Sequence, residues 1–339
     1  MKGARYLLAL AGALTVATPA SAQSVADFYK GKTIQIIVGF GVGGGYDLYA
    51  RALGRYLGKH VPGNPSIVVQ NMTGASSIRA ANHVYGGPQD GTVIAAVNQN
   101  AAMYQVLGGA GAKFEAAKLQ WLGSIANSNG MLYTWHASGI KTLDDAKRRE
   151  VPVGAVGKQS DSVIFPNLIN ELLGTKFKPI TGYAGTTQIH LAMERGEVMG
   201  RGGSTYASLQ TANASWLKEN RINLLVQVGF QKEPDLPQVP LLLDLVKGDE
   251  ATGVVKVVSL PTAIGYGHWL GPGVPKDRIA ALRAAYAAVI KDPEFIKETK
   301  KTRMSVRSQT GPEVEALVKK VTSTPKPVLD RAAQILKWK

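Results

Sequence analysis

A short apolar run ends in a cluster of glycines at the start of the chain's first regular element. It reads Ile34-Gln35-Ile36-Ile37-Val38-Gly39-Phe40-Gly41-Val42-Gly43-Gly44-Gly45-Tyr46-Asp47. The β-branched run predicts a buried strand. The glycines predict a turn in which the backbone approaches a neighbour closely, because glycine has no Cβ and reaches positive φ at little cost. Behind them, Leu48, Tyr49, Ala52, Leu53, Tyr56 and Leu57 lie on one helical face. A helix that begins at such a turn presents free N–H groups and a partial positive charge, a setting for an anion.

The same strand–turn–helix order recurs. Ser66 to Gln70 and Thr92 to Val97 are read as further strands, with a small-residue turn at Thr73 to Ser77 and a helix over Ile78 to Tyr85. The pattern restarts downstream. Val151 to Val156, Phe177 to Ile180 and Arg221 to Gly229 are read as strands, and Ser160 to Leu173 and Gln188 to Arg195 as helices. Thr262 to Leu270 is read as a return strand. Arg278 to Lys291, Pro293 to Lys301, Pro312 to Thr322 and Val328 to Lys337 are read as helices that pack back on the first unit. Alternation of this kind predicts an α/β fold of two lobes, each a sheet flanked by helices, with the glycine turns of both facing a cleft. The expected division is 23–124 with 251–339 for one lobe and 125–250 for the other.

Residues 1–22 are read as a secretory signal peptide. Lys2 and Arg5 precede a short apolar run from Leu7 to Val16, and Ala20-Ser21-Ala22 offers small residues for cleavage. The mature protein is therefore expected in the periplasm. The 339-residue chain contains no cysteine, which excludes disulfides, thiolate metal sites and cysteine nucleophiles. Its formal charge is +15, but the basic residues are scattered, so they read as solvated faces and not as a nucleic-acid surface. The five histidines, His60, His83, His136, His190 and His268, show no metal-ligand spacing. No nucleophile–base set stands out, and neither a cofactor nor an enzymatic activity is expected. Gly39, Gly41 and Gly44 match the spacing of a dinucleotide fingerprint, but the second strand ends Val69-Gln70-Asn71, where that fingerprint places an acid. An exported enzyme using the Gly39–Asp47 loop for a phosphate or dinucleotide is kept as the alternative reading.

Asp47 reads as a helix cap and organiser of its loop. Ser76, Ser77, Ser160, Ser162, Thr186 and Thr187 read as hydroxyl donors beside helix starts. Arg201 stands among glycines in Gly200-Arg201-Gly202-Gly203, read as a loop just past a predicted strand of the second lobe, and a guanidinium pairs with a carboxylate through parallel N–H bonds. Arg79 is a weaker candidate of the same kind. Tyr46, Tyr183 and Trp269 are each read either as an apolar wall of the site or as core.

Several segments, in order, resemble the receptors of tripartite tricarboxylate transporters, the Bug-type extracytoplasmic solute-binding proteins. They are Lys32 to Arg51 with its Gly-Gly-x-x-Asp element, Val68 to Ala75, Pro88 to Thr92, Tyr183 to Thr186, Leu236 to Pro240 and Trp269 to Pro275. The resemblance implies a Venus-flytrap fold, a small organic carboxylate as ligand, and inner-membrane transporter subunits as partners. A sensor kinase is a compatible further partner, and a monomer is expected. It places ligand contacts on Gly43, Gly44, Gly45, Tyr46 and Asp47, and on Gly74, Ala75, Ser76 and Ser77. Asn98 is added after the third strand. The second-lobe contacts are Ser160, Asp161, Ser162, Tyr183, Gly185, Thr186 and Thr187. Ser77, Gly182 and Met199 depart from the family pattern, and Arg201 is read as a replacement contact.

Overall fold

The computed structural model describes residues 23–338, and the signal-peptide reading lies outside them. Two mixed sheets organise the chain. The first contains β1 (Thr33–Val38), β2 (Ser66–Asn71), β3 (Val93–Ala96), β4 (Gln120–Ser124), β10 (Gly267–Leu270) and β11 (Gln309–Thr310). Its order is β11-β4-β10-β3-β1-β2. The second contains β5 (Gly130–Trp135), β6 (Val151–Gly154), β7 (Phe177–Ile180), β8 (Gly200–Thr205) and β9 (Ile222–Val228), in the order β7-β6-β8-β5-β9.

In the first sheet β1 lies between β2 and β3, parallel to both, and β10 returns antiparallel between β3 and β4. In the second, β6 is parallel to β7 and β8, while β5 is antiparallel to β8 and β9. Parallel pairs need covered crossovers, and helices supply the cover. Gly45–His60 buries Tyr49, Ala52, Leu53 and Leu57, the stripe visible in the sequence. Asp161–Leu173 buries Val163, Ile164, Phe165, Leu168 and Ile169 and stops at Gly174 in the left-handed region. Leu143–Arg148 begins with a capping box between Thr142 and Asp145. Among the described residues, no helix is long and apolar enough to cross a membrane.

The chain passes between the sheets through two segments that lie side by side. Tyr266 N–H donates to Ala126 O at 2.9 Å, and Ile125 N–H donates to Tyr266 O at 3.3 Å. Arg307 braces the pair, since its N–H donates to Ile125 O at 3.1 Å and its guanidinium meets buried Glu233 at 2.9 Å.

Three expectations are corrected here. The return strand is only Gly267–Leu270, because Thr262 belongs to the helix Asp249–Ile264. That helix buries Val254, Val255, Val257 and Val258, a β-branched run whose low helix propensity is overridden by packing. The C-terminal helix Lys326–Ile335 does not pack on the first unit alone. Arg331 pairs with Glu171 at 3.0 Å, and Trp338 Nε1 donates to Lys158 O at 3.1 Å, both in the segment carrying the second sheet. Finally, Gly200–Thr205 is itself a fully buried strand, not a loop past one.

Gly265 joins the Asp249–Ile264 helix to β10 at φ +63°, where a Cβ would stand 2.1 Å from Ala126 O. Gly265→Ala is expected to lower stability by about 3 kcal/mol, since strain and a backbone clash act together. Urea unfolding checks it, and an unchanged midpoint would show that the crossing segments have slack.

Candidate functional site

The turns at the carboxyl ends of β1, β3 and β6 face one another, as expected for ligand sites of open α/β sheets. Between them lies a cavity of about 40 Å³. Of the residues singled out from sequence, Gly44, Gly45, Tyr46, Asn98, Ser160, Asp161, Ser162, Thr186 and Arg201 line it. Gly43, Asp47, Gly74, Ala75, Ser76, Ser77, Tyr183, Gly185 and Thr187 do not.

Asp47 is buried and turned into its own loop. Its carboxylate accepts from Gly43 N–H at 2.9 Å, Arg51 Nε at 3.0 Å and Asn71 Nδ2 at 2.8 Å. Burial pushes its pKa up, but these three donors outweigh it and hold the carboxyl below its ordinary value. The turn is thus tied to β2, because Asn71 Nδ2 also donates to Phe40 O at 2.9 Å.

Gly74 is followed by Ala75, Ser76 and Ser77 at φ +45°, +50° and +81°. Three consecutive non-glycine residues in the left-handed region are a local strain of the kind found at functional sites. Ser77 Oγ accepts from Asn98 N–H at 3.1 Å, fixing the turn after β3. Ser76 packs toward Gly157 in the segment bearing the second sheet, and its hydroxyl is buried without a partner. The hydroxyls of Ser160 and Ser162 are engaged with each other, with Gly157 O and with Val156 N–H, so they shape the loop and are not free donors.

The two sides touch around the cavity. Gly41 N–H donates to Ala184 O at 3.2 Å and Thr187 Oγ1 to Val42 O at 3.3 Å, which ties the 183–187 loop to the glycine turn after β1. Asn98 Nδ2 donates to Gln159 O at 3.2 Å. Gln99 Nε2 and Asn100 Nδ2 donate to the Asp161 carboxylate at 3.1 and 2.5 Å.

Sequence reasoning missed Phe40, Gly203, Ser204, Thr205, Ser208 and Tyr266, which complete the lining. Phe40 stacks on Tyr46, and Tyr266 stands edge-on to Tyr46, forming an aromatic wall. Tyr46 OH accepts from Gln99 N–H at 2.8 Å, and Tyr266 OH bonds Thr205 Oγ1 at 2.5 Å. Gly45 is required there, since a Cβ would stand 2.4 Å from Tyr266 OH. Trp269 belongs to the core, and Arg79 is exposed.

Arg201 is 7% exposed. Its Nε donates to Gly203 O at 2.7 Å, and its Nη1 has no partner. Among the described residues, no carboxylate lies within 4.0 Å of it. Tyr133 and His190 beside it are neutral. Burial raises the Tyr133 hydroxyl to about 12, and burial followed by the Arg201 charge lowers His190 to about 3. Those two side chains bond each other at 2.7 Å. Three helices, Gly45–His60, Asp161–Leu173 and Thr186–Glu194, begin at the cavity and add their positive ends. Asp161 keeps part of its surface free, on the cavity side. Burial raises its pKa to about 6, against the Asn100, Arg201 and Gln99 interactions that lower it. The arrangement can hold an anion through a guanidinium and main-chain N–H groups.

The fold and cleft together define a two-lobed α/β architecture, each lobe a mixed sheet flanked by helices. No protein-family profile and no curated protein sequence matches the chain. Solved structures do. The periplasmic binding protein BugD is 17% identical with a TM-score of 0.71, over 92% of this chain and 99% of that one. Rpa4515 of R. palustris, solved with adipate, is 16% identical with a TM-score of 0.69, over 90% and 97%. MatC (Rpa3494) from Rhodopseudomonas palustris, solved with bound malate, is 18% identical with a TM-score of 0.68, over 88% and 99%. The chain therefore has the fold of Bug-type periplasmic binding proteins.

A buried carboxyl with a raised pKa destabilises the folded state when ionised. For Asp161 that penalty is absent below about pH 4, grows as pH rises toward 6 and is complete above it. Asp161→Asn is therefore expected to stabilise the ligand-free protein by about 1–2 kcal/mol at pH 7.5, discounted for partial exposure, and by nothing near pH 4. Thermal unfolding across pH checks this. An equal effect at both pH values would contradict it.

Proposed function

We propose that this chain is a periplasmic solute-binding receptor that captures a small organic carboxylate by closure of two lobes. It delivers the ligand to a tripartite tricarboxylate-type secondary transporter in the inner membrane, with a sensor kinase as a second docking partner for the closed form. It acts as a monomer, without cofactor, catalysis or nucleic acid. The lobe assignment, 23–124 plus 251–339 against 125–250, belongs to the same proposal and is supported by the strand membership of the two sheets.

The observation that carries the reading is Arg201, a guanidinium held between the lobes with an unpaired Nη1 and no carboxylate in contact. A buried charge requires a partner, and a ligand carboxylate supplies one. The neighbours solved with adipate and malate lend the same direction to the ligand class. The alternative, an exported enzyme holding a phosphate or dinucleotide in the Gly39–Asp47 loop, is disfavoured by that loop's own chemistry. Asp47 already occupies the Gly43 N–H, and its negative charge repels a phosphate. Asn71, where the dinucleotide fold needs an acid, is committed to Asp47 and Phe40.

A thermal-shift panel is expected to show stabilisation by one or a few small carboxylates and none by NAD or nucleoside phosphates. The reverse pattern would sink the receptor reading. Arg201→Ala is expected to weaken the carboxylate at least tenfold, about 1.4 kcal/mol. Unchanged affinity by calorimetry would show that Arg201 does not hold the ligand.

A further inference from the structure

Trp338, just past the C-terminal helix, closes a circuit of contacts that joins the segments carrying the two sheets. After the helix Lys326–Ile335, Lys337 takes φ +55° and Trp338 N–H donates back to Ala333 O at 3.0 Å. A lysine adopts that left-handed conformation at a cost, which the contacts of the next residue offset. Trp338 is buried, its Nε1 donates to Lys158 O at 3.1 Å, and its ring meets Tyr104 edge-on at 4.9 Å. Lys158 stands in the loop between β6 and the Asp161–Leu173 helix, whereas Tyr104 belongs to the helix Ala101–Val106 that follows β3. The same two segments are joined a second time. Gln159 O accepts from Asn98 Nδ2 at 3.2 Å and from Asn100 Nδ2 at 3.4 Å, and Tyr104 N–H donates to Asn100 O at 2.8 Å. The circuit runs from Trp338 through Lys158, Gln159, Asn100 and Tyr104 back to Trp338. Arg331 anchors the helix that carries it, pairing with Glu171 at 3.0 Å and Glu250 at 2.8 Å.

We propose that Trp338 is a positioning residue of the cleft, holding the 157–162 loop against the turn after β3 from outside the cavity. The proposal rests on the receptor reading for its purpose, because that loop carries Ser160, Asp161 and Ser162 of the cavity lining, while Trp338, Lys158 and Tyr104 do not line it. It concerns how the cleft is held and not what fills it. Two long side-chain amide bonds to one carbonyl are a modest tie, since water replaces them readily. An indole adds a buried N–H bond and an aromatic contact within one rigid group, one to each segment. If the two segments separate, either the bond to Lys158 or the ring contact with Tyr104 is given up. The closed arrangement thus carries a stabilisation that an open one lacks, and it is supplied by a residue remote in sequence from both segments.

The test is hydrogen–deuterium exchange, read by mass spectrometry, on the ligand-free protein and its variants Trp338→Phe and Trp338→Ala. Trp338→Phe keeps a buried ring and loses the N–H. Peptides covering 97–104 and 155–163 are expected to exchange about three- to tenfold faster in it, the worth of one hydrogen bond, while 326–337 exchanges as in the wild type. Trp338→Ala is expected to speed the same two regions further and to loosen 326–337 as well. Acceleration confined to 326–338, or none at all, overturns the proposal, because Trp338 then serves only its own helix. Uniform acceleration over the whole chain marks a general loss of stability and overturns it too. If the alanine variant does not fold, Trp338→Phe decides the matter alone. No ligand enters the measurement, so its failure leaves the carboxylate receptor standing, and the failure of that reading leaves this result intact.

Discussion

A guanidinium enclosed by protein and left without a carboxylate is the constraint around which this molecule is arranged. Removing a charge from water is costly unless it is paired and hydrogen-bonded. Arg201 is placed on a buried strand whose own carbonyl, at Gly203, accepts from its Nε. Tyr133 and His190 behind it stay neutral through the physiological pH range, so nothing on that side neutralises it. Arg201 lines the cavity, where helix starts from both sheets contribute potential of the same sign.

Under the receptor proposal, closure and ligand capture are coupled through the same residues. Gln99 and Asn100, on the turn after β3, reach the Asp161 carboxylate at the start of the helix beyond β6. Opening the cleft must break these bonds and those of Gly41 to Ala184 and Thr187 to Val42. Among the described residues, the chain crosses between the two sheets at short stretches around Ala126 and Tyr266, and a hinge motion of the kind the receptor proposal needs is absorbed at a few such residues. The C-terminal helix limits its range by reaching from one unit to the other through Arg331 and Trp338.

Much of the fold was legible in the sequence because hydrophobic period and punctuation agree. The apolar strand Thr33–Val38, the stripe of Gly45–His60 and the Thr142 cap are all local signals. The strand Gly200–Thr205 carried none, since glycine, serine and threonine leave no apolar alternation to read. The helix Asp249–Ile264 was hidden for the opposite reason, its valines favouring strand locally and helix only in context. The site was legible by halves. The glycine turns and Arg201 announced themselves, whereas Tyr266 reaches the cavity only because the returning segment pairs with Ala126, a contact made over a long stretch of chain. Asp47 and the Ser160–Ser162 hydroxyls lay in the right loops, yet their hydrogen-bonding capacity is spent inside those loops.

The most direct test of the central claim is native mass spectrometry of the protein isolated from cells, followed by denaturation and identification of what is released. The expected result is one equivalent of a small carboxylic acid on the wild-type protein and its loss from Arg201→Ala. A nucleotide in its place, or the same acid retained at full occupancy by the variant, would contradict the account.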